Sequence, residues 1–133
     1  MKQNFLGYSV NVRRVDACAD EIMSEVTKGA DGGAAHVAWL ACLNPHSYAV
    51  ALDDQAFVEA LRSADWLIPD GVGVVLAGRV LGASIPERVT GSDIFYSLHQ
   101  RMNAIGGHSV VFLGGTEGTL APVPAGLGGG FPA

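Results

Sequence analysis

The feature that most constrains the fold is the junction Pro69-Asp70-Gly71, which separates two apolar segments. The segment before it, residues 66–68, is short and wholly apolar, as in a strand buried on both faces of a sheet. The segment after it carries valines and leucine at helical spacing. In open α/β sheets, ligands bind where a strand ends and a helix begins. We therefore expect Asp70 to face a ligand crevice, with a simple Asp-Gly turn as the alternative.

Other segments repeat this order of strand and helix. Residues 5–12 alternate apolar and polar side chains around Gly7 and predict a short strand pair or a bent strand. Residues 36–43 and 109–113 are nearly continuous in apolar residues and predict buried parallel strands. The order predicts an α/β fold, with a Rossmann-like, mostly parallel sheet, helices on both faces and an incomplete C-terminal side.

Polar residues that cap helices mark where the predicted helices begin. A side-chain oxygen before the first helical turn accepts a hydrogen bond from an otherwise unpaired backbone N–H. One helix is expected to run over residues 47–52. The predicted N-caps of three others are Asp16, either Asp53 or Asp54, and either Ser92 or Asp93.

Three predicted strands end in small or polar residues. Asn44 follows the second predicted strand, Asp70 follows the third, and Gly114-Gly115-Thr116 follows the fourth. The carboxyl ends of parallel strands lie on one edge of a sheet. The sequence therefore predicts that these residues line one crevice.

Composition excludes several classes of function. The chain has 133 residues, 49% of them hydrophobic and 16% charged, which is a globular composition. Its net charge of -5 argues against a general nucleic-acid or anionic-membrane binder. Cys18 and Cys42 lack the spacing of a metal site, and no DxD motif is present. We expect no metal and no cofactor.

The termini give two further expectations. The start of the chain lacks the apolar run of a signal peptide, and no stretch is apolar over the length of a membrane span, so we expect a cytoplasmic protein. Residues 1–118 are expected to form a partial α/β domain. Residues 119–133 carry no charge and are mostly Gly, Pro and Ala, so we expect a disordered tail. A slipped reading frame near Gly118 is one hypothesis for it.

Four separated motifs carry a resemblance to a known family. They are Leu43-Asn44-Pro45-His46, residues 57–75, residues 86–93 with the sequence PERVTGSD, and residues 111–115 with the sequence VFLGG. In this order and spacing they resemble the WecG/TagA/CpsF glycosyltransferase family. The resemblance runs from about Phe5 to Gly118, and its specificity comes from the combination, since no single motif would suffice.

The resemblance implies an inverting transfer of an N-acetylmannosamine-type sugar, or its uronic acid, from a UDP donor. The implied acceptor is a polyprenyl-diphosphate-linked N-acetylglucosamine at the inner face of the cytoplasmic membrane. The products of the family feed teichoic acid, enterobacterial common antigen or capsule. The implied partners are the UDP-sugar, the lipid-linked acceptor and, peripherally, the membrane surface, with no nucleic acid. An exposed sheet flank would favour a homo-oligomer.

The resemblance also implies roles for single residues. Asp70 corresponds to the catalytic base, and Arg88 is expected near the diphosphate or the donor sugar. Backbone N–H groups around Gly91 or Gly114-Gly115 can bind the leaving diphosphate. The predicted substrate-binding residues are Asn44, Gly71, Arg88, Thr90, Gly91, Ser92, Asp93, Gly114 and Gly115. From the residues alone, Thr90, Ser92 and Asp93 serve equally well as helix caps.

Two departures from the family keep alternatives open. Family members commonly carry threonine two residues before the asparagine, whereas this chain has Cys42, a weaker hydrogen-bond donor. The resemblance also implies later strands and helices that complete the UDP pocket, and we expect no counterpart to them within residues 1–133. A truncated, inactive member of the family, a non-catalytic nucleotide-binding α/β module and a non-functional fragment all remain alternatives.

Overall fold

The computed structural model describes residues 1–30, 37–83, 85 and 88–123. The described residues divide into two units, one within Met1–Leu98 and one that begins at His99. The elements in chain order are β1 (Lys2–Phe5), β2 (Tyr8–Asn11), α1 (Val15–Ala30), β3 (Leu40–Leu43), α2 (Pro45–Asp53), α3 (Gln55–Ser63), β4 (Trp66–Pro69), α4 (Val72–Val80), α5 (Gly91–Ile105) and α6 (Glu117–Leu120).

The chain begins with a β-hairpin, which confirms the predicted strand pair. Strands β1 and β2 pair antiparallel, from Lys2 opposite Asn11 to Phe5 opposite Tyr8. The two turn residues, Leu6 and Gly7, have φ of 52° and 83°. Tight hairpin turns of two residues require this left-handed backbone, which glycine adopts without steric cost.

The predicted junction strand pairs in parallel with the strand before it. Strands β3 and β4 run from Leu40 opposite Trp66 to Leu43 opposite Pro69, and a further parallel bridge joins Asp70 to Val89. On its other side, β4 is tied to the hairpin because the Leu67 N–H donates to Asn11 Oδ1 at 3.1 Å.

The alternation of side chains along β3 and β4 divides the core into two layers. Leu43 and Leu67 belong to the first layer, where α2, α3 and α4 pack. Cys42 and Ile68 belong to the second layer, where α1 and α5 pack. The α/β fold and the helices on both faces are therefore confirmed.

The strands form two two-stranded sheets, β1 with β2 antiparallel and β3 with β4 parallel, so the parallel sheet is smaller than the sequence predicts. Residues 109–113 form no strand, and Val111 and Leu113 are 87% and 100% exposed, so that prediction was wrong. An apolar run becomes a strand only where a neighbouring strand can pair with its backbone. Strand β3 begins at Leu40 rather than at residue 36, and His36 lies outside the described residues.

The helix starts differ from the predicted ones in three places. Helix α1 begins at Val15, so Asp16 lies in its first turn and is not its N-cap. Helix α2 begins at Pro45 rather than Ser47, because Asn44 is the N-cap and proline is well suited to the first turn. Helix α5 begins at Gly91, so Ser92 and Asp93 lie inside it. The alternative of Asp54 as the N-cap of α3 is confirmed, since its carboxylate accepts from the Phe57 N–H.

Helix α6 crosses the expected boundary after Gly118, and residues 124–133 of the expected tail lie outside the described residues. Across the described ranges, no helix combines the length and the apolar character needed to cross a bilayer.

Candidate active site

Two of the three predicted edge positions lie side by side. Asn44 follows β3 and Asp70 follows β4, the two paired strands, and the Asp70 N–H donates to the Leu43 carbonyl oxygen at 2.9 Å. Gly114 and Gly115 belong to the second unit, in a bend before α6 with φ of 121° and 73°. Within the first unit, Asn44 and Asp70 form the edge.

Asp70 is half-buried and has a side-chain partner in Cys42. The pKa of the Cys42 thiol is raised to about 11 by burial, by the negative charge of Asp70 and by a hydrogen bond to the Asp70 carboxylate. A hydrogen bond from the Gly91 backbone N–H lowers this pKa by a smaller amount. The thiol is therefore protonated near neutral pH and donates to the carboxylate.

Gly91 brings the N-terminus of α5 against this pair. A Cβ atom at position 91 would lie 3.1 Å from Cys42 Sγ, closer than most such contacts. Because position 91 has no side chain, the first turn of α5 approaches Cys42 and, through it, Asp70. The positive end of the helix dipole therefore lies next to the pair formed by Cys42 and Asp70.

Gly71 controls how the chain leaves the site. It is the N-cap of α4 with φ of 95°, a backbone conformation that L side chains rarely adopt. A larger residue there would strain the turn that directly follows Asp70. The glycine in the Asp-Gly pair is thus explained by the backbone geometry.

Thr90 and Asp93 form the cap of α5. The Asp93 carboxylate accepts from the Thr90 N–H at 2.9 Å and from its hydroxyl at 2.8 Å, and the Asp93 N–H donates to Thr90 Oγ1 at 3.2 Å. The bonds to Thr90, with a smaller effect of the Arg88 charge, hold the pKa of Asp93 below its usual value. Of the two open interpretations for these residues, the capping role is the one observed.

The other predicted residues near α5 are exposed. Ser92 lies in the first turn of α5, and Arg88 precedes the bridge residue Val89. The charge of Arg88 acts on Asp93, which puts a guanidinium close to the start of α5. An arginine and a helix N-terminus together suit an anion such as a diphosphate.

Asn44 is held by a capping box at the start of α2. The Ser47 N–H donates to Asn44 Oδ1, and the Asn44 N–H donates to Ser47 Oγ, both at 2.8 Å. Ser47 Oγ–H is also within 3.2 Å of the Cys42 carbonyl oxygen. Asn44 therefore has a structural role that fixes its position at the strand edge.

Sequence reasoning missed Cys42 as the neighbour of Asp70. The strand register carries the information. Cys42 lies opposite Ile68, and residues 68 and 70 point to the same face, so the Cys42 and Asp70 side chains share that face. That register is a property of the pairing and cannot be read from one strand. Within the described part of the chain, no cluster of three His, Cys, Asp or Glu side chains could hold a metal ion.

Comparison with known proteins supplies the family context. A family profile described as "Glycosyl transferase WecG/TagA/CpsF family" matches residues 3–132. The match extends beyond Gly118, where the resemblance seen in the sequence ends.

Two curated relatives match a shorter segment. The N-acetylglucosaminyldiphosphoundecaprenol N-acetyl-beta-D-mannosaminyltransferase of Bacillus spizizenii is 34% identical over 61 residues, which is 46% of this chain and 24% of the relative. The protein of the same name from Bacillus subtilis is 31% identical over 59 residues, 44% of this chain and 23% of the relative. The matched segments thus span about a quarter of each relative.

Proposed function

The chain belongs to the WecG/TagA/CpsF family of glycosyl transferases, and on that basis we propose that it transfers an N-acetylmannosamine-type sugar from a UDP donor to a polyprenyl-diphosphate-linked N-acetylglucosamine. The names of the two Bacillus relatives support the acceptor and the transferred sugar. The family's members act on cell-envelope polysaccharides, and the proposed product is an intermediate of that kind.

The observation that carries the proposal is the position of Asp70. Its carboxylate follows β4 at the strand edge, with the Cys42 thiol as hydrogen-bond donor and the start of α5 beside it. An inverting transfer needs one carboxylate within hydrogen-bond reach of the attacking hydroxyl. Asp70 is the carboxylate that suits this role.

The proposed reaction is a single displacement. As an acceptor hydroxyl oxygen attacks the anomeric carbon of the donor sugar, its proton passes to the Asp70 carboxylate. The new glycosidic C–O bond forms while the bond between the anomeric carbon and the UDP oxygen breaks. UDP leaves with the electron pair, and the configuration at the anomeric carbon inverts.

The negative charge that develops on UDP needs donors in fixed positions. The exposed Arg88 guanidinium lies close enough to the start of α5 to act on Asp93. The positive end of the α5 helix dipole is the second favourable group. We propose that these groups bind the diphosphate of the donor.

Cys42 is a positioning residue in this proposal. Its thiol donates to Asp70, so the carboxylate presents its remaining acceptor positions to the hydroxyl. In the family's usual arrangement a threonine hydroxyl stands at this position.

The test is direct measurement of transfer. The full chain is incubated with UDP-N-acetylmannosamine and a lipid-diphosphate-N-acetylglucosamine analogue, and both UDP release and the disaccharide product are measured. Asp70→Asn should lower the rate by about 10²–10⁴-fold, the usual contribution of a general base. The melting temperature of the variant should stay close to that of the parent.

The matched control is Asp54→Asn. Asp54 caps α3, and asparagine caps helices as well as aspartate, so this variant should keep the parental rate. Full activity of Asp70→Asn would remove Asp70 from the base role. If the parent chain is stabilised by UDP but forms no disaccharide, the chain is a nucleotide-binding module and the proposed transfer is wrong.

A further inference from the structure

We propose that an apolar pocket between the hairpin turn and helices α2 and α4 binds the prenyl chain of the acceptor, next to the diphosphate. This inference rests on the proposed function, because it assigns part of the proposed acceptor to a second site. The pocket has a volume of about 260 Å³. Its lining comprises Phe5, Leu6, Leu43, Asn44, Pro45, Tyr48, Gly73, Val74 and Ala77.

The chemistry of the lining suits hydrocarbon. None of the lining side chains is charged, and Asn44 and Tyr48 are the ones that carry polar atoms. Asn44 Oδ1 already accepts from the Ser47 N–H. A nucleobase or a sugar would need several polar partners in such a pocket, whereas a prenyl chain needs only apolar contact.

The position of the pocket connects it to the candidate active site. Leu43 lines the pocket, while Cys42, its neighbour in β3, contacts Asp70 on the other face of the strand. Asn44 lies at the same strand edge as Asp70 and also lines the pocket. An acceptor whose sugar lies at Asp70 can therefore pass over this edge and place its chain in the pocket.

Helix α4 extends the apolar surface beyond the pocket. Gly73, Val74 and Ala77 line the pocket, and three apolar residues one turn apart lie exposed on the same helix. These are Val72, Leu76 and Val80, with exposed fractions of 62%, 53% and 86%. They form a stripe, which we call the α4 stripe, that starts two residues after Asp70. Nine helical residues extend about 13 Å, enough for a long chain to continue along the stripe.

The size of the pocket favours a chain over the other occupants. Pockets for whole small molecules usually measure about 300–1,000 Å³, so this one suits a narrow piece of a longer ligand. A second copy of the protein would need roughly 800 Å² of contact surface on each partner, and a concave pocket between two helices and a turn is not such a surface. The occupant with the right shape is the flexible prenyl chain of the acceptor.

The test compares two ligands that differ only in the chain. Calorimetric titration measures the affinity of the full protein for N-acetylglucosamine diphosphate that carries either a farnesyl group or a methyl group. The farnesyl ligand should bind at least tenfold more tightly. If neither ligand binds, the proposed function fails and the pocket proposal fails with it. If both bind equally, the proposed function stands and the pocket proposal alone is overturned.

Two variants test whether the pocket causes the tighter binding of the farnesyl ligand. Leu6→Asn removes an apolar wall at a position with φ of 52°, which asparagine tolerates better than leucine. Ala77→Gln places an amide in the half-buried lining. Each should reduce the preference for the farnesyl ligand several-fold and leave the affinity for the methyl ligand unchanged.

The control is Val26→Asn, on an exposed turn of α1, in the helix that packs on the other face of the strands. It should retain the full preference. If Val26→Asn reduces the preference as much as the pocket variants do, the pocket is not the site. Sedimentation is measured in parallel: if the pocket variants change only the association state and leave the preference intact, the pocket binds a second copy and the proposal is wrong.

Discussion

At the residue scale, the contact between Cys42 and Asp70 links the candidate base to the rest of the fold. The thiol belongs to β3 and the carboxylate follows β4, so their contact depends on the parallel pairing of the two strands. Gly91 completes the arrangement because a side chain there would displace Cys42 Sγ. Three short segments of sequence thus meet around one carboxylate.

The reactivity of Cys42 should report on this contact. Since the negative charge of Asp70 raises the pKa of Cys42, Asp70→Asn should lower that pKa below about 11. The thiolate is the reactive form, so alkylation of Cys42 by iodoacetamide at pH 9 should become faster in Asp70→Asn. The rate is measured by peptide mass spectrometry over a time course.

Cys18 is the internal control for this measurement. Its pKa is also raised to about 11, but by burial and by Glu21, without a contribution from Asp70. Its alkylation rate should therefore be the same in both proteins. Equal acceleration of both thiols would indicate general loosening of the fold, and an unchanged rate at Cys42 would contradict the contact.

At the element scale, the N-terminus of α5 combines a capping box with a candidate anion site. Thr90 and Asp93 form reciprocal hydrogen bonds between their side chains and backbone N–H groups at the start of the helix. Arg88 lies near enough for its charge to lower the pKa of Asp93. The cap therefore fixes the first turn of the helix that approaches Asp70 through Gly91.

Asp93→Asn should destabilise the protein in a pH-dependent way. The bonds to Thr90 lower the folded-state pKa of Asp93 below its unfolded value. Its stabilising effect is therefore fully present above the unfolded pKa and disappears as the pH falls through the folded pKa. At pH 7 the variant should lose about 0.3–1 kcal/mol of unfolding free energy, the usual effect of a charge at a helix N-terminus.

Urea unfolding of parent and Asp93→Asn across the acidic range gives this difference, which should shrink towards zero at low pH. Ser92→Ala in the same turn is the matched control, because Ser92 is exposed and exposed substitutions usually change stability by less than about 0.5 kcal/mol. A difference for Asp93→Asn that stays constant with pH would show that its charge is not the cause.

At the scale of the whole molecule, β4 separates two packed layers. Leu67 belongs to the layer of the hairpin, α2, α3 and α4, and Ile68 to the layer of α1 and α5. Both side chains are fully buried although they are neighbours in sequence. The proposed function uses both layers, since the first contains the apolar pocket and the second contains Cys42, the neighbour of Asp70.

Leu67→Ala and Ile68→Ala should each lower the unfolding free energy by about 2–5 kcal/mol, the usual cost of truncating a large buried side chain. Each substitution opens a cavity in a different layer. Similar losses of unfolding free energy would therefore show that both layers are packed. Denaturant unfolding measures both, with the exposed Leu52→Ala on α2 as a control that should change little. If either substitution lowered the unfolding free energy as little as Leu52→Ala does, the layer around that position would not be packed.

Much of the fold could be predicted from the sequence. The hairpin, the strand before Asp70, the approximate positions of the five longer helices and their distribution over two faces all follow from patterns within short segments. The strand over residues 109–113 was predicted wrongly, since its apolar run has no pairing partner among the described residues. The roles of Thr90 and Asp93 stayed open until their hydrogen bonds were seen.

The sequence by itself determined the junction at Pro69-Asp70-Gly71, because apolar periodicity and a glycine at a left-handed turn are local properties of the chain. It also determined the family resemblance, through the order and spacing of its motifs. Only the tertiary structure decided that Cys42 and Gly91 lie beside Asp70 and that Asn44 borders an apolar pocket. These contacts join residues far apart in the chain, and they exist only once strand register and helix packing are fixed.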